Sequence, residues 1–168
     1  MTAATRLPPV LLIAVVLHTA VFPQLRFFGV APDVLLLLGI ATAITAGADR
    51  GAAVAFGAGL LADCFLETPF GLSALAYSLA AYAVGAVQET ILHADWWIPV
   101  LTVFMGSLLG VLLFAGAGAV LGHEQFISVR LLTVALVVGV ANAVLGLAAV
   151  RIMRWAAVPD LGPRPVLR

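Results

Sequence analysis

Apolar residues dominate the chain in long runs, and short polar or proline-containing stretches separate these runs. The pattern predicts helical segments at about residues 8–25, 33–48, 51–66, 70–88, 97–121 and 129–153. A helix that crosses a membrane needs roughly 20 predominantly apolar residues, and most of the runs approach that length. The pattern therefore predicts an all-α, polytopic membrane helix bundle of about six transmembrane helices. We expect one domain, residues 1–155, followed by a flexible cytoplasmic tail, residues 156–168.

The composition supports insertion into a lipid bilayer and argues against soluble classes of protein. Hydrophobic residues make up 64% of the 168 residues and charged residues only 10%, whereas about 25% charged residues is usual for soluble chains. The chain has no lysine, and its arginines do not form a basic face that could hold nucleic-acid phosphates. We therefore expect a membrane protein that does not bind nucleic acid.

The arginines also predict an orientation. Six spans place both termini on the same side of the membrane, and cytoplasmic segments are enriched in arginine and lysine. The side of the termini would carry six arginines and the opposite side two, and the six are Arg6, Arg50, Arg151, Arg154, Arg164 and Arg168. The excess predicts that both termini are cytoplasmic.

Small residues recur every four positions in the third segment and end on an acid. Positions with this spacing share one face of a helix, and here they are Gly51, Ala55, Gly59 and Asp63. The fourth segment carries a second small-residue face, at Ala74, Ser78, Ala81 and Gly85. Small residues let helix backbones approach closely in a membrane. We therefore expect the third and fourth segments to pack against each other.

Asp63 is expensive inside a membrane. An aspartate at the bilayer centre costs about 2.5 to 3.5 kcal/mol on insertion scales, so we expect Asp63 near one interface or against a partner group. A proline, Pro69, interrupts the helical pattern a few residues later, and Phe70 and Gly71 open the next segment. Our hypothesis is that Asp63, Pro69, Phe70 and Gly71 together fix the geometry of this hairpin.

Three further polar positions carry predictions. Asp33 directly precedes an apolar run and is predicted to cap the second helix, which should turn into the third at residues 49–51. Asn142 lies near the middle of the sixth segment and is predicted to form hydrogen bonds between helices. His18, in the first segment, is expected to be a hydrogen-bonded packing residue, with a proton relay as the alternative.

The sequence lacks the residue patterns of membrane enzymes. The stretch Gly71-Leu72-Ser73-Ala74 lacks the closing glycine of a nucleophile elbow, and there is no His-Glu-x-x-His pattern for zinc. We therefore expect no catalytic residue, no cofactor and no metal site. A transporter in which His18, Asp63 and Asn142 line a path is the alternative, although no inverted repeat is visible.

Three motifs in the first half of the chain resemble one family of membrane proteins. They read PDVLLL at residues 32–37, GAGLLAD at 57–63 and TPFGLSALAY at 68–77. Their order and spacing, over about residues 10–90, resemble MreD, the rod shape-determining membrane protein of bacteria.

This resemblance implies a non-catalytic scaffold subunit of the cell-elongation (rod) complex in the bacterial inner membrane. The implied partners are the single-span protein MreC and, with it, MreB, RodA and a class B penicillin-binding transpeptidase. The implied fold is similar to the substrate-binding subunit of energy-coupling-factor transporters, so a small-molecule (vitamin) binding subunit is the alternative function. The candidate structural or partner-binding residues are Asp33, Gly59, Asp63, Pro69, Phe70, Gly71 and Asn142.

Overall fold

Six α-helices make up the described part of the chain. The computed structural model describes residues 3–21, 24, 29–65, 69–90, 97–122 and 130–157. Its helices are α1 (Ala3–Val16), α2 (Val34–Ala46), α3 (Ala48–Asp63), α4 (Leu72–Thr90), α5 (Ile98–Val120) and α6 (Arg130–Ala157), and α1 continues into a π-helical turn at Leu17–Val21. No β-strand element occurs in these ranges, so the predicted all-helical class is confirmed for them.

The helices differ in their ability to cross a membrane. α5 and α6 are long and apolar enough to do so, with spans of 23 and 27 residues and a mean hydropathy of 2.3 in each. The shorter apolar helices are Arg6–Val21, Val34–Ala46 and Leu72–Gln88. At 1.5 Å per residue, α2 is about 20 Å long, less than the roughly 30 Å of a hydrocarbon core. The helical part of the second segment therefore reaches across only part of a bilayer.

α2 is the central helix of the bundle. Every residue from Val34 to Ala43 is buried, because α3, α4, α5 and α6 all pack against it. A helix that is covered on all sides is expected to be apolar all round, and the leucine-rich sequence of α2 meets that expectation. α1 lies at the periphery, where it contacts α2, α3 and α6.

The turn between α2 and α3 lies earlier than the sequence predicts. A single residue, Gly47, separates the two helices, and its φ of 91° is one that glycine adopts without strain. Its N–H donates to the carbonyl of Ala43 over 3.1 Å. The predicted turn at residues 49–51 is wrong, because these residues belong to the first turns of α3. An acid such as Asp49 is favourable there, at the positive end of the helix dipole.

α1 also starts earlier than expected, at Ala3, so that Pro8 and Pro9 lie inside it. Both prolines lack the N–H that a helix interior uses. The additional first turn of α1 contacts α6, because Nη1 of Arg6 donates a hydrogen bond to the carbonyl of Trp155 over 3.1 Å. The guanidinium of Arg6 also lies 5.1 Å from the centroid of the Trp155 ring. This contact fastens the beginning of α1 to the end of α6.

Small residues set the separation between the central helices. An added Cβ at Gly39 would lie 2.5 Å from Cβ of Ala55, and one at Gly59 would lie 2.4 Å from Cα of Ala74. Such distances require the backbones to be in close contact. All four residues of the predicted face of α3 are buried, and the predicted packing of the third segment on the fourth is confirmed.

Candidate functional site

Asp63 ends α3 and caps the beginning of α4. Its Oδ2 accepts hydrogen bonds from the backbone N–H groups of Gly71, over 2.8 Å, and of Ala74, over 3.4 Å. Its Oδ1 accepts one from the N–H of Ser73 over 3.1 Å. These amides have no partner within their own helix, and the positive end of the helix dipole favours a carboxylate. The amides and the dipole offset the cost of burying Asp63, whose side chain is only 4% exposed.

An exposed aromatic ring, that of Phe70, lies beside this cap. We call the described residues 69–71 the tip of the α3–α4 hairpin. Gly71 has a φ of 94°, which reverses the chain so that the N–H groups of α4 point back at Asp63. Phe70, directly before it, is 71% exposed, and Pro69 is half-buried. Residues 66–68, on which part of the predicted break falls, lie outside the described residues.

Asp33 caps α2, as the sequence predicts. Its Oδ1 accepts from the N–H of Leu36 over 3.1 Å, and its carbonyl accepts from the N–H of Leu37 over 3.0 Å. A second helix takes part, because the Tyr77 hydroxyl of α4 donates to Oδ2 of Asp33. The cap therefore also joins α2 to α4.

Asn142 connects three helices at the same point. Its Nδ2 donates to the carbonyl of Asp33 and to Oγ of Ser107, each over 3.0 Å. The side chain is fully buried, and its Oδ1 has no hydrogen-bond partner within the described part of the chain. The predicted interhelical hydrogen bonds of Asn142 are confirmed, and they join α6 to α2 and α5.

This junction lies deep within the bundle. Asn142 is about twelve residues into α6, which is roughly 18 Å along its axis. Gly29 lies beside the start of α6, since an added Cβ there would be 2.8 Å from Nη2 of Arg130. Residues 29–33 therefore run along the first half of α6, with Val30 and Pro32 buried. Non-helical backbone is tolerated at membrane depth where protein covers it.

The polar side chains of this site form hydrogen bonds that connect helices. Within the described residues, no group of three or more His, Cys, Asp or Glu side chains lies close enough to hold a metal ion. Asp33 and Asp63 both cap helices, and their oxygens already accept hydrogen bonds, from backbone amides and, at Oδ2 of Asp33, from the Tyr77 hydroxyl. These side chains therefore stabilise the packing of the helices against one another.

His18 and Cys64 lie outside these connections. His18 is in the π-helical turn, and its buried Nδ1 has no hydrogen-bond partner among the described residues. The expectation of a hydrogen-bonded His18 is therefore not met at this atom. Cys64 follows α3 and is exposed.

The sequence did not single out Tyr77 or Ser107 as partners of the predicted residues. Both carry a hydroxyl within an apolar helix, and polar groups at membrane depth usually face protein. A hydroxyl within an apolar helix therefore indicates a buried residue that contacts protein. It does not identify Asp33 or Asn142 as the groups they meet, because those residues come from other helices.

Comparison with known proteins gives a family. No curated protein and no solved structure matches the chain, so the similarity to the substrate-binding subunit of energy-coupling-factor transporters stays a prediction. The family model described as rod shape-determining protein MreD matches residues 3–154. This range contains all three motifs, both capping acids and nearly the whole helical bundle. The chain belongs to the MreD family of rod shape-determining membrane proteins.

Proposed function

We propose that this protein is a non-catalytic scaffold subunit of the rod complex, in the inner membrane of a bacterium. It binds an MreC-like single-span protein and helps to couple MreB to peptidoglycan synthesis by RodA and a class B penicillin-binding transpeptidase. The observation that carries the proposal is the family match over residues 3–154. Six segments cross the membrane, the second as α2 together with residues 29–33, and both termini lie in the cytoplasm, in keeping with the positive-inside distribution of the arginines.

The partner-binding surface in this proposal is the tip of the α3–α4 hairpin. Phe70 is 71% exposed, and exposed aromatic side chains on an ordered support are frequent anchors of interfaces. The support here is the cap, in which Asp63 holds the amides of Gly71, Ser73 and Ala74. Asp63 and Gly71 position the tip, and Phe70 with Pro69 contacts the partner.

The remaining candidates act inside the bundle. Gly59 lets α3 approach α4, and Asp33 and Asn142 join α2 to its neighbours. Their substitution changes partner binding through the fold. A substitution of Phe70 tests the surface more directly, because the ring is largely outside the packed core.

The test is co-purification with a tagged MreC-like protein. Phe70→Ala is expected to reduce recovery of the partner at equal expression, because the exposed ring is lost while the cap remains. Phe56→Ala is the matched control, since Phe56 is 49% exposed on α3 away from the tip. Gly71→Leu should also reduce recovery, because the backbone at φ 94° is strained for any residue with a Cβ.

Two results would contradict the proposal. Equal recovery of the partner with Phe70→Ala and Phe56→Ala would remove the hairpin tip as the binding surface. Purified protein that carries a stoichiometric small molecule other than a phospholipid, and no MreC-like partner, would favour the vitamin-binding subunit over the scaffold. Mass spectrometry of the same purified sample distinguishes the two functions.

A further inference from the structure

An apolar groove of about 280 Å³ lies between α1, α2 and α6. Its lining comes from residues 10–17, in α1 and the π-helical turn that follows it, from residues 145–152 of α6 and from one side of α2. Seven residues of helix correspond to about 10 Å along the axis, and one leaflet of the hydrocarbon core is about 15 Å thick. The groove is therefore short enough to lie within a single leaflet. Representative lining residues are Val10, Leu17, Leu38, Leu145 and Ala148.

Arginines lie at one end of this groove. Arg6 precedes Val10 by one helical turn, and Arg151 directly precedes Ile152, which lines the groove. The Arg6 guanidinium rests on the ring of Trp155, and Arg151 is exposed. Tryptophan is enriched at the level of lipid headgroups. The end of the groove that carries Arg6 and Arg151 therefore faces the headgroup layer.

We propose that the groove binds one acyl chain of an anionic phospholipid, whose phosphate lies beside Arg6 and Arg151. The groove walls are almost entirely apolar, and the charged end has the sign that attracts an anionic headgroup. The attraction of one arginine to an anionic membrane surface corresponds to about a fivefold change in binding, and we expect a similar factor for one anionic headgroup here. In the orientation proposed above, this lipid belongs to the cytoplasmic leaflet.

The chemistry of the groove favours a lipid chain over a helix of a partner. The groove is apolar along its length, and two arginines lie at one end only. A phospholipid has the same combination of a hydrocarbon chain and an anionic headgroup. This binding site is separate from the hairpin tip and does not depend on the scaffold function.

Native mass spectrometry of the full-length protein in detergent tests the proposal. The probes are phosphatidylglycerol and phosphatidylcholine with identical acyl chains. We expect one phosphatidylglycerol to bind at least about fivefold more tightly than phosphatidylcholine. Glycerol phosphate, which has the headgroup chemistry without the chains, should not compete at the same concentration.

Two matched pairs of variants locate the lipid. Ala148→Phe fills the groove and should remove the bound lipid, whereas Ala53→Phe, at an exposed position of α3, should not. Arg151→Gln should lower the preference for phosphatidylglycerol about fivefold. Arg154→Gln removes the same charge from α6. The residues one turn before Arg154 do not line the groove, so this variant should retain the preference for phosphatidylglycerol.

The proposal is overturned if the two lipids bind equally, or if lipid binding is unchanged in both Ala148→Phe and Arg151→Gln. It is also overturned if glycerol phosphate displaces the lipid, or if a second copy of the chain or a partner helix occupies the groove. If Ala148→Phe does not fold, as judged by thermal unfolding, the lipid preferences of Arg151→Gln and Arg154→Gln decide the question. Equal preferences in these two variants would then overturn the proposal.

Discussion

Oδ2 of Asp63 lies 2.8 Å from the backbone nitrogen of Gly71, eight residues later in the chain. The last residue of α3 thus satisfies the first amides of α4, and one side chain ends one helix and begins the next. This contact explains why a carboxylate is stable at a buried position in an apolar protein. Within the described part of the chain, the hydrogen-bond donors to Asp63 are backbone amides. The position of the acceptor oxygens should therefore matter more than ion pairing.

We predict that Asp63→Ala lowers the free energy of unfolding by about 2 to 4 kcal/mol, because a helix cap and hydrogen bonds to a charged acceptor are lost. Asp63→Asn keeps one acceptor oxygen and should cost about half as much. Unfolding of the purified protein by increasing SDS, followed by circular dichroism, measures both values. An Asn variant as unstable as the Ala variant would show that the negative charge is essential.

Tyr77→Phe should destabilise the protein by about 1 to 3 kcal/mol, because Oδ2 of Asp33 loses its donor. Tyr82→Phe is the control, since Tyr82 lies on the same helix and is 51% exposed. A double-mutant cycle with Asp33→Asn should give a coupling energy of about 0.5 to 3 kcal/mol. Equal stability of the Tyr77 and Tyr82 variants would mean that this hydrogen bond contributes nothing.

Two glycines of α3 should respond in opposite ways to the same substitution. Gly59→Ala should cost about 1 to 3 kcal/mol, because the new Cβ would lie 2.4 Å from Cα of Ala74. Gly57→Ala should be neutral or stabilising by about 0.5 to 1 kcal/mol, since nothing lies within 4 Å of its Cβ and alanine favours helix. Thermal unfolding of the two variants checks the difference. Similar melting temperatures would contradict the close packing of α3 on α4.

The single cysteine can report the orientation of the protein. Cys64 is exposed at the end of α3, which lies outside the cytoplasm if both termini are inside. We predict that a membrane-impermeant maleimide labels Cys64 in cells whose inner membrane is intact. Arg154→Cys in a Cys64→Ser background should react only after that membrane is permeabilised. The reverse pattern would invert the proposed topology.

The sequence allowed the helical segments and several capping residues to be predicted, because these depend on local patterns. The run after Asp33 and the spacing of Gly51, Ala55, Gly59 and Asp63 depend on residues close in the chain. Helix ends were less predictable. The break at Gly47 depends on one residue with a positive φ, and the start of α1 depends on the contact of Arg6 with Trp155.

The partners of the buried polar groups could not be predicted in the same way. Tyr77 is 44 residues from Asp33, and Asn142 is 109 residues from it. These distances along the chain are bridged only when the helices pack. The sequence indicates that each group requires a partner, but the identity of that partner depends on the crossing of α2, α4 and α6.

The depth at which α2 begins has a consequence for biogenesis. α2 is synthesised before α6, yet the carbonyl of Asp33 receives its side-chain donor from Asn142, and residues 29–33 lie along the first half of α6. In a nascent chain that ends before α6, α2 therefore lacks one of the helices that cover it in the complete bundle. We therefore expect the first half of the protein to reach its native arrangement only after the last helix has been synthesised.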